Sequence, residues 1–254
     1  MTGPLAALGV ALGLVVGSFL NVVAHRVPLG RSVVAPPSAC PACGHPIRPR
    51  DNVPVVSWLL LRGRCRDCGA SISARYPLVE AITAALFAAA PLVAVPAAVP
   101  AFWLAAAAGV TLTLTDLDHK RIPNTILFPA IAAGTLLLGV AALVEGDAVP
   151  FLRALGGGAT YFGVLFVVAV VARGGFGFGD VKLAFLLGEF AGWVSWASVV
   201  VAAFAAFIIG GVVAIALLVT GNADRTSAIP FGPAMIAGAA IALAWGDAIA
   251  GWYL

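Results

Sequence analysis

Apolar runs of about 20 residues, separated by short polar breaks, recur along the whole chain. The first covers residues 5–24, LAALGVALGLVVGSFLNVVA. At about 1.5 Å per residue, a helix of this length crosses the roughly 30 Å of hydrocarbon in a bilayer. Residues 78–115 are almost all apolar, with Pro91, Pro96 and Pro100 in the middle, which predicts two spans joined by a tight turn. Residues 125–144 and 151–172 predict a fourth and a fifth span. A shorter apolar segment, 181–193, carries Lys182 and Glu189. It is the weakest crossing, and a re-entrant segment is the alternative. Residues 194–219 and 229–252 complete the set. The expectation is an all-α polytopic membrane protein with about eight transmembrane helices.

Composition supports this pattern. Of 254 residues, 62% are apolar and 10% charged, and mean hydropathy is +1.07. Soluble domains carry roughly 25% charged residues, so a soluble α/β domain is excluded as the working class. A cleaved signal peptide would place a basic residue before the first run. Here the chain begins MTGP, and His25 and Arg26 follow the run, which predicts a retained span with its N-terminus outside. Gly9, Gly13 and Gly17 recur every fourth position, the pattern of a helix-packing face in lipid. Asn21, near the end of that span, reads equally as a helix contact or an interfacial residue.

Charge orients the chain. Residues 26–77 form the one long polar stretch. They hold eight arginines, Arg26, Arg31, Arg48, Arg50, Arg62, Arg64, Arg66 and Arg75, against Asp51 and Asp67. The positive-inside rule places this loop in the cytoplasm. With eight crossings and both termini outside, only Arg153 of the 14 Lys and Arg residues falls on the outer side. The chain then divides into a first transmembrane helix (1–25), a cytoplasmic loop domain (26–77) and a transmembrane core (78–254).

The loop contains all four cysteines, as Cys40-Pro-Ala-Cys43-Gly44 and Cys65-Arg-Asp-Cys68-Gly69. Two paired Cys-x-x-Cys clusters match a structural tetrahedral zinc site with no position left for water. A reducing cytoplasm opposes disulfides, and a redox motif needs only one pair. Zinc here would hold together a loop too short and polar to build its own core.

Two carboxylates stand out. Asp116 lies at the predicted cytoplasmic end of a span, before His119-Lys120-Arg121. Asp180 follows the glycine-rich stretch Gly174-Gly175-Phe176-Gly177-Phe178-Gly179 and precedes Lys182. Glycines let a backbone break or approach closely, and an ionisable residue at membrane depth is costly. A pair of carboxylates in one poorly hydrated site shares a proton and titrates as a unit. Such a pair performs aspartic peptide hydrolysis, one member activating water and the other polarising the scissile carbonyl. The simpler reading makes each a helix cap or interfacial charge, and Asp118 competes with Asp116. Lys182 either tunes the field at Asp180 or reaches for the interface. Glu189 reads as packing or function alike. A proton-coupled transporter is the rival class, but both acids lie near one membrane face and no polar relay crosses the spans. No Walker A loop or zincin motif occurs, and the three histidines all lie in loops or at interfaces.

Taken together, the motifs resemble those of the bacterial type IV prepilin peptidases, a leader peptidase and N-methyltransferase group of membrane aspartic proteases of the glycine-x-glycine-Asp type. The resemblance rests on five stretches in order: Gly17-Ser-Phe-Leu-Asn-Val-Val-Ala-His-Arg-Val-Pro28, the two cysteine pairs, Asp116-Leu-Asp-His-Lys-Arg-Ile-Pro-Asn124, Gly177-Phe-Gly-Asp-Val-Lys182, and Ile229-Pro-Phe-Gly-Pro233. It implies that Asp116 and Asp180 are catalytic, favouring Asp116 over Asp118, and that Cys40, Cys43, Cys65 and Cys68 bind zinc. It implies prepilin or pseudopilin substrates of type IV pilus, type II secretion or competence systems, cut after the glycine that ends a short basic leader. It implies methylation of the new N-terminus with S-adenosylmethionine, for which the sequence locates no binding site; Glu80, just after the loop, is a weak pointer. It implies residence in the bacterial inner membrane, with the catalytic face in the cytoplasm.

Overall fold

The lipid-facing pattern of the sequence resolves into nine α-helices among the described residues. The structure, a computed structural model, describes residues 2–171, 177–222, 224 and 227–253. Two short β-bridges in the loop are its only extended pairings among those residues. The chain forms two compact units, Met1–Leu92 and Val93–Leu254.

In the first unit, α1 (Thr2–Arg26) packs on α3 (Arg75–Val93), and the loop between them carries the short α2 (Val56–Leu60). The glycine stripe of α1 is the packing face. A Cβ at Gly13 would lie 2.5 Å from Ala84 Cα, and one at Gly9 would lie 2.6 Å from the Phe87 carbonyl oxygen. Only glycine permits that approach, the means by which helices associate without a hydrophobic driving force. Asn21 is a helix contact: its Nδ2 donates to the Gly17 carbonyl at 3.2 Å and to the Tyr76 carbonyl at 3.4 Å.

The second unit holds α4 (Val99–His119), α5 (Asn124–Glu145), α6 (Val149–Val171), α7 (Phe178–Val194), α8 (Trp196–Val219) and α9 (Gly232–Tyr253). Among the described residues, seven helices are long and apolar enough to cross a membrane: α1, α3, α4, α5, α6, α8 and α9. The exception is α7, the expected weak crossing. Its 17 residues reach only about 25 Å. It is the most enclosed helix, with 11 residues buried, including Leu183, Glu189 and Trp193. A helix buried on all sides is surrounded by protein rather than lipid.

Glycines also set the α6–α7 contact. A Cβ at Gly157 would meet the Gly188 carbonyl oxygen at 2.5 Å, and one at Gly192 would meet the Arg153 carbonyl oxygen at 2.6 Å. Arg153, isolated on the outer side of the expected topology, terminates α7. Its guanidinium donates to the carbonyls of Gly192 at 2.6 Å, Val194 at 2.7 Å and Trp193. The Ser195 N–H takes the Ala191 carbonyl at 3.0 Å. All four carbonyls that a helix end leaves open are therefore engaged, with a cation at the negative end of the helix dipole. Ser195 then caps α8, its Oγ accepting the Ser198 N–H at 3.0 Å.

Candidate functional site

The loop of the first unit is built from two similar turns. The Gly44 N–H donates to the Cys40 carbonyl at 2.8 Å, and the Gly69 N–H to the Cys65 carbonyl at 2.9 Å. Both glycines are left-handed, with φ of 73° and 72°, a conformation costly for any other residue. The Cys40 N–H pairs with the His45 carbonyl at 2.9 Å, and the Cys65 N–H with the Ala70 carbonyl at 2.8 Å. These turns bring one sulfur from each cysteine within 4.8 Å of the other three. Cys40 Sγ lies 3.8 Å from Cys68 Sγ. Tetrahedral zinc with Zn–S bonds of about 2.3 Å sets neighbouring sulfurs about 3.8 Å apart, so the donor set and spacing fit such an ion.

The two acidic residues of the loop brace this centre. Asp51 takes Arg66 in a two-pronged pair, with Nη2 at 2.6 Å from Oδ1 and Nε at 2.9 Å from Oδ2, and Asp67 takes Arg48 at 2.7 Å. The Arg66 guanidinium holds the Asp51 carboxyl below its usual range. Glu80 is buried, and its Oε2 accepts the N–H of Val55 at 2.7 Å. Val55 has φ of 60°, a strained value for a β-branched residue. Glu80 thus anchors a strained turn to α3.

In the second unit, Asp116 sits in the last turn of α4, buried at 5% exposure, while Asp118 is exposed. The helix stops at once: Lys120 adopts φ of 51°, and its N–H donates to the Asp116 carbonyl at 2.8 Å. Asp116 Oδ2 accepts the N–H of Gly232, the first residue of α9, at 3.0 Å. Helix N-termini leave such donors free, and Pro233 beside it has none. A Cβ at Gly232 would stand 2.8 Å from that same oxygen, so the position has room only for hydrogen.

Asp180 is half-buried in the first turn of α7, where the helix dipole favours a carboxylate. Gly177 caps the helix, and a Cβ there would lie 3.1 Å from Asp180 Oδ2. Positions 174–176 of the glycine-rich stretch lie outside the described residues. Ile122, in the turn after α4, stands beside the glycine before Asp180 and the glycine that holds Asp116. A Cβ at Gly179 would lie 3.2 Å from its Cβ, and one at Gly232 would lie 3.4 Å from its Cδ1. The glycine that holds Asp116 and the glycine that precedes Asp180 thus stand against one side chain. Lys182 is not paired with either: its Nζ donates to Asn124 Oδ1 at 2.5 Å and lies over the rings of Phe178 and Phe128, at 5.5 and 5.6 Å. It ties the start of α7 to the start of α5. Glu189 is fully buried, held by the Thr135 hydroxyl at 2.5 Å.

Sequence reasoning assigned no role to Gly232 or Ile122, although both lie in stretches it singled out. The signal was local. A Pro-Phe-Gly-Pro sequence opening a span places an unpaired N–H where a buried acid can use it.

Among the described residues, seven membrane-length helices, two acids at helix ends in the second unit and, in the first, four cysteines placed to hold a metal ion describe a helical membrane protein with the groups a hydrolytic site uses. Comparison with known proteins agrees. Residues 11–94 match the bacterial peptidase A24 N-terminal domain, and residues 103–215 match the type IV leader peptidase family. A prepilin leader peptidase/N-methyltransferase of Aeromonas hydrophila is 35% identical over 95% of this chain and 91% of its own. Proteins of the same name from Bacillus subtilis (35% identical, 95% of both chains) and Pseudomonas aeruginosa (34% identical, 96% of this chain and 92% of its own) are similar over comparable spans. No solved structure matches. The chain belongs to the type IV leader peptidase family, and it is an enzyme with peptidase activity.

Proposed function

We propose that this chain removes the leader of a type IV prepilin or pseudopilin by aspartic hydrolysis, with Asp116 and Asp180 as the catalytic pair. The observation that carries this reading is that Ile122 stands against both Gly179, the neighbour of Asp180, and Gly232, whose N–H fixes Asp116. One carboxylate takes a proton from water as the water oxygen attacks the carbonyl of the leader's terminal glycine. The other donates a proton to the carbonyl oxygen, and the C–N bond breaks with the proton returned to the leaving amine. The pair acts as one titrating unit. The arginine-rich loop supports placing this chemistry at the cytoplasmic face of the bacterial inner membrane. There a pilin helix in the bilayer presents the junction with its leader.

We further propose that Cys40, Cys43, Cys65 and Cys68 hold one structural zinc ion. Filled by four sulfurs, such an ion performs no catalysis and clamps the loop. The relatives' names support N-methylation of the new N-terminus. S-adenosylmethionine, when bound, supplies an activated methyl group. A groove of about 370 Å³ in the first unit, lined by Phe19, Arg26, Val34, Pro36 and Asn52 among others, is of small-molecule size and mixed polarity.

The test is to incubate the purified full-length protein in lipid with a prepilin-like substrate and read the products by mass spectrometry. Cleavage after the leader glycine is expected, followed by a 14 Da gain when the methyl donor is added. An intact substrate would refute the peptidase reading, and cleavage without the gain would remove only the methylation.

A further inference from the structure

The cysteine loop of the first unit is not polar throughout. Its short helix α2 turns one side inward. Ser57 is buried, its Oγ donating to the Arg50 carbonyl at 2.9 Å, and Trp58 Nε1–H donates to the Ile72 carbonyl at 3.0 Å. The other side is bare. Val56, Leu59 and Leu60 share one face by their spacing of three and four, and they are 49%, 61% and 78% exposed. A contiguous apolar face of this kind is costly in water and marks a contact surface.

The height of this face is set by α3. That helix has 19 residues, a length of about 28 Å, so nearly all of it is needed to cross about 30 Å of hydrocarbon. Its first residue, Arg75, therefore marks one boundary of the bilayer. Glu80 stands five residues further along, about 7.5 Å inward. Its Oε2 accepts the N–H of Val55, the residue before α2, at 2.7 Å. The start of α2 is thus tied to the first turns of α3, where Leu78 and Ile82 are exposed as well.

Charge completes the surface. The chain leaves α2 directly into two arginines, and the Arg62 N–H donates to the Leu59 carbonyl at 3.0 Å. Arg62 and Arg64 are both exposed. The two acids of the loop are taken elsewhere, Asp67 by Arg48 and Asp51 by Arg66, and among the described residues neither Arg62 nor Arg64 has an ion-pair partner. An apolar wedge with cations at its rim suits an anionic lipid surface, where the apolar part enters the headgroup boundary and the cations meet phosphates. A basic leader peptide would be repelled by the same arginines, and a soluble partner would have to reach a face tied to the bilayer boundary.

We propose that α2, with Arg62 and Arg64, is a docking wedge that seats the cysteine loop on anionic phospholipid of the bilayer that the chain spans. Val56, Leu59 and Leu60 enter the headgroup boundary, and the two guanidiniums bind lipid phosphates. The proposal rests on α1 and α3 crossing the bilayer and not on the acid pair, so a failed cleavage assay leaves it standing.

For the experiment, the full chain with Leu60 replaced by the photo-crosslinker benzoylphenylalanine is placed in nanodiscs of phosphatidylcholine and phosphatidylglycerol in equal parts. After irradiation, the peptide that holds residue 60 is read by mass spectrometry. Lipid adducts are expected, with phosphatidylglycerol favoured about fivefold or more by the two cations. In the Arg62→Gln/Arg64→Gln background that ratio should fall to within about twofold of unity. Should the double variant not fold, salt carries the same test with both arginines in place. Raising it from about 0.1 to about 1 M shortens the screening length from about 10 to about 3 Å and should collapse the preference. The absence of a lipid adduct overturns the proposal, as does an adduct with a second copy of this chain, or with another protein, in place of lipid. Adducts that show no preference for the anionic lipid, or a preference that survives the loss of both arginines or the added salt, overturn it too.

Discussion

The backbone N–H of Gly232 donates to Oδ2 of Asp116 at 3.0 Å, across 116 residues of sequence. The bond joins the end of α4 to the beginning of α9. It gives a buried carboxylate a partner that cannot rotate away.

That relationship predicts the outcome of Gly232→Ala. The added methyl would stand 2.8 Å from Asp116 Oδ2 and against Ile122, so the carboxylate must shift. Misplacing a reacting group by about 1 Å costs on the order of 100-fold in rate. Steady-state kinetics on a prepilin-like substrate should register a loss of that order, with the fold retained by circular dichroism. A variant within about twofold of wild type would mean that the contact is not needed for turnover.

The metal centre is checked by elemental analysis. The full-length protein should carry about one zinc per chain. Cys40→Ser or Cys68→Ser should lose most of it and make the loop around residues 40–70 sensitive to protease. Stoichiometric disulfides, detected by mass spectrometry without reduction, would instead point to an oxidised pair of turns.

Arg153→Leu removes three hydrogen bonds and the cation from the C-terminal end of α7. A destabilisation of about 2 kcal/mol is expected from a charge at a partly buried helix terminus. Thermal unfolding in detergent measures it. An unchanged midpoint would show that water or lipid headgroups satisfy these carbonyls as well.

Glu189→Met makes the opposite prediction. The wild-type side chain leaves Oε2 without a partner in the core, and replacing a partly satisfied buried carboxyl with an apolar residue is neutral or stabilising. Thermal unfolding should give an equal or higher midpoint, with cleavage kinetics preserved. A clear drop in either would assign Glu189 work that its contacts do not suggest.

Much of this was legible from the chain because lipid enforces simple rules. Runs of apolar residues gave the long helices, and the glycine stripe of α1 predicted its packing face. The cysteine spacing, with Gly44 and Gly69, predicted a metal centre. The short α7 was harder to read. Its apolar residues look like those of a span, yet enclosure by neighbouring helices, rather than lipid, explains why 17 residues suffice. Arg153 illustrates another limit. Positive-inside counting marks it as an exception, while its physical reason lies in carbonyls about 40 residues away in sequence. Gly232 and Ile122 escaped because their importance is a matter of what stands opposite them, which only a folded chain reveals. Lys182 sits beside Asp180 in sequence but pairs with Asn124, since the helix turns its side chain to α5.

The central claim is that Asp116 and Asp180 act together on the leader peptide bond. Asp116→Asn and Asp180→Asn change one oxygen each to an amide and preserve size. The most direct measurement is leader removal from a membrane-embedded prepilin-like substrate by each variant, followed as product mass against time. Processing reduced to background in both, with each protein still folded, is the predicted result. Full processing by either one would contradict the pair.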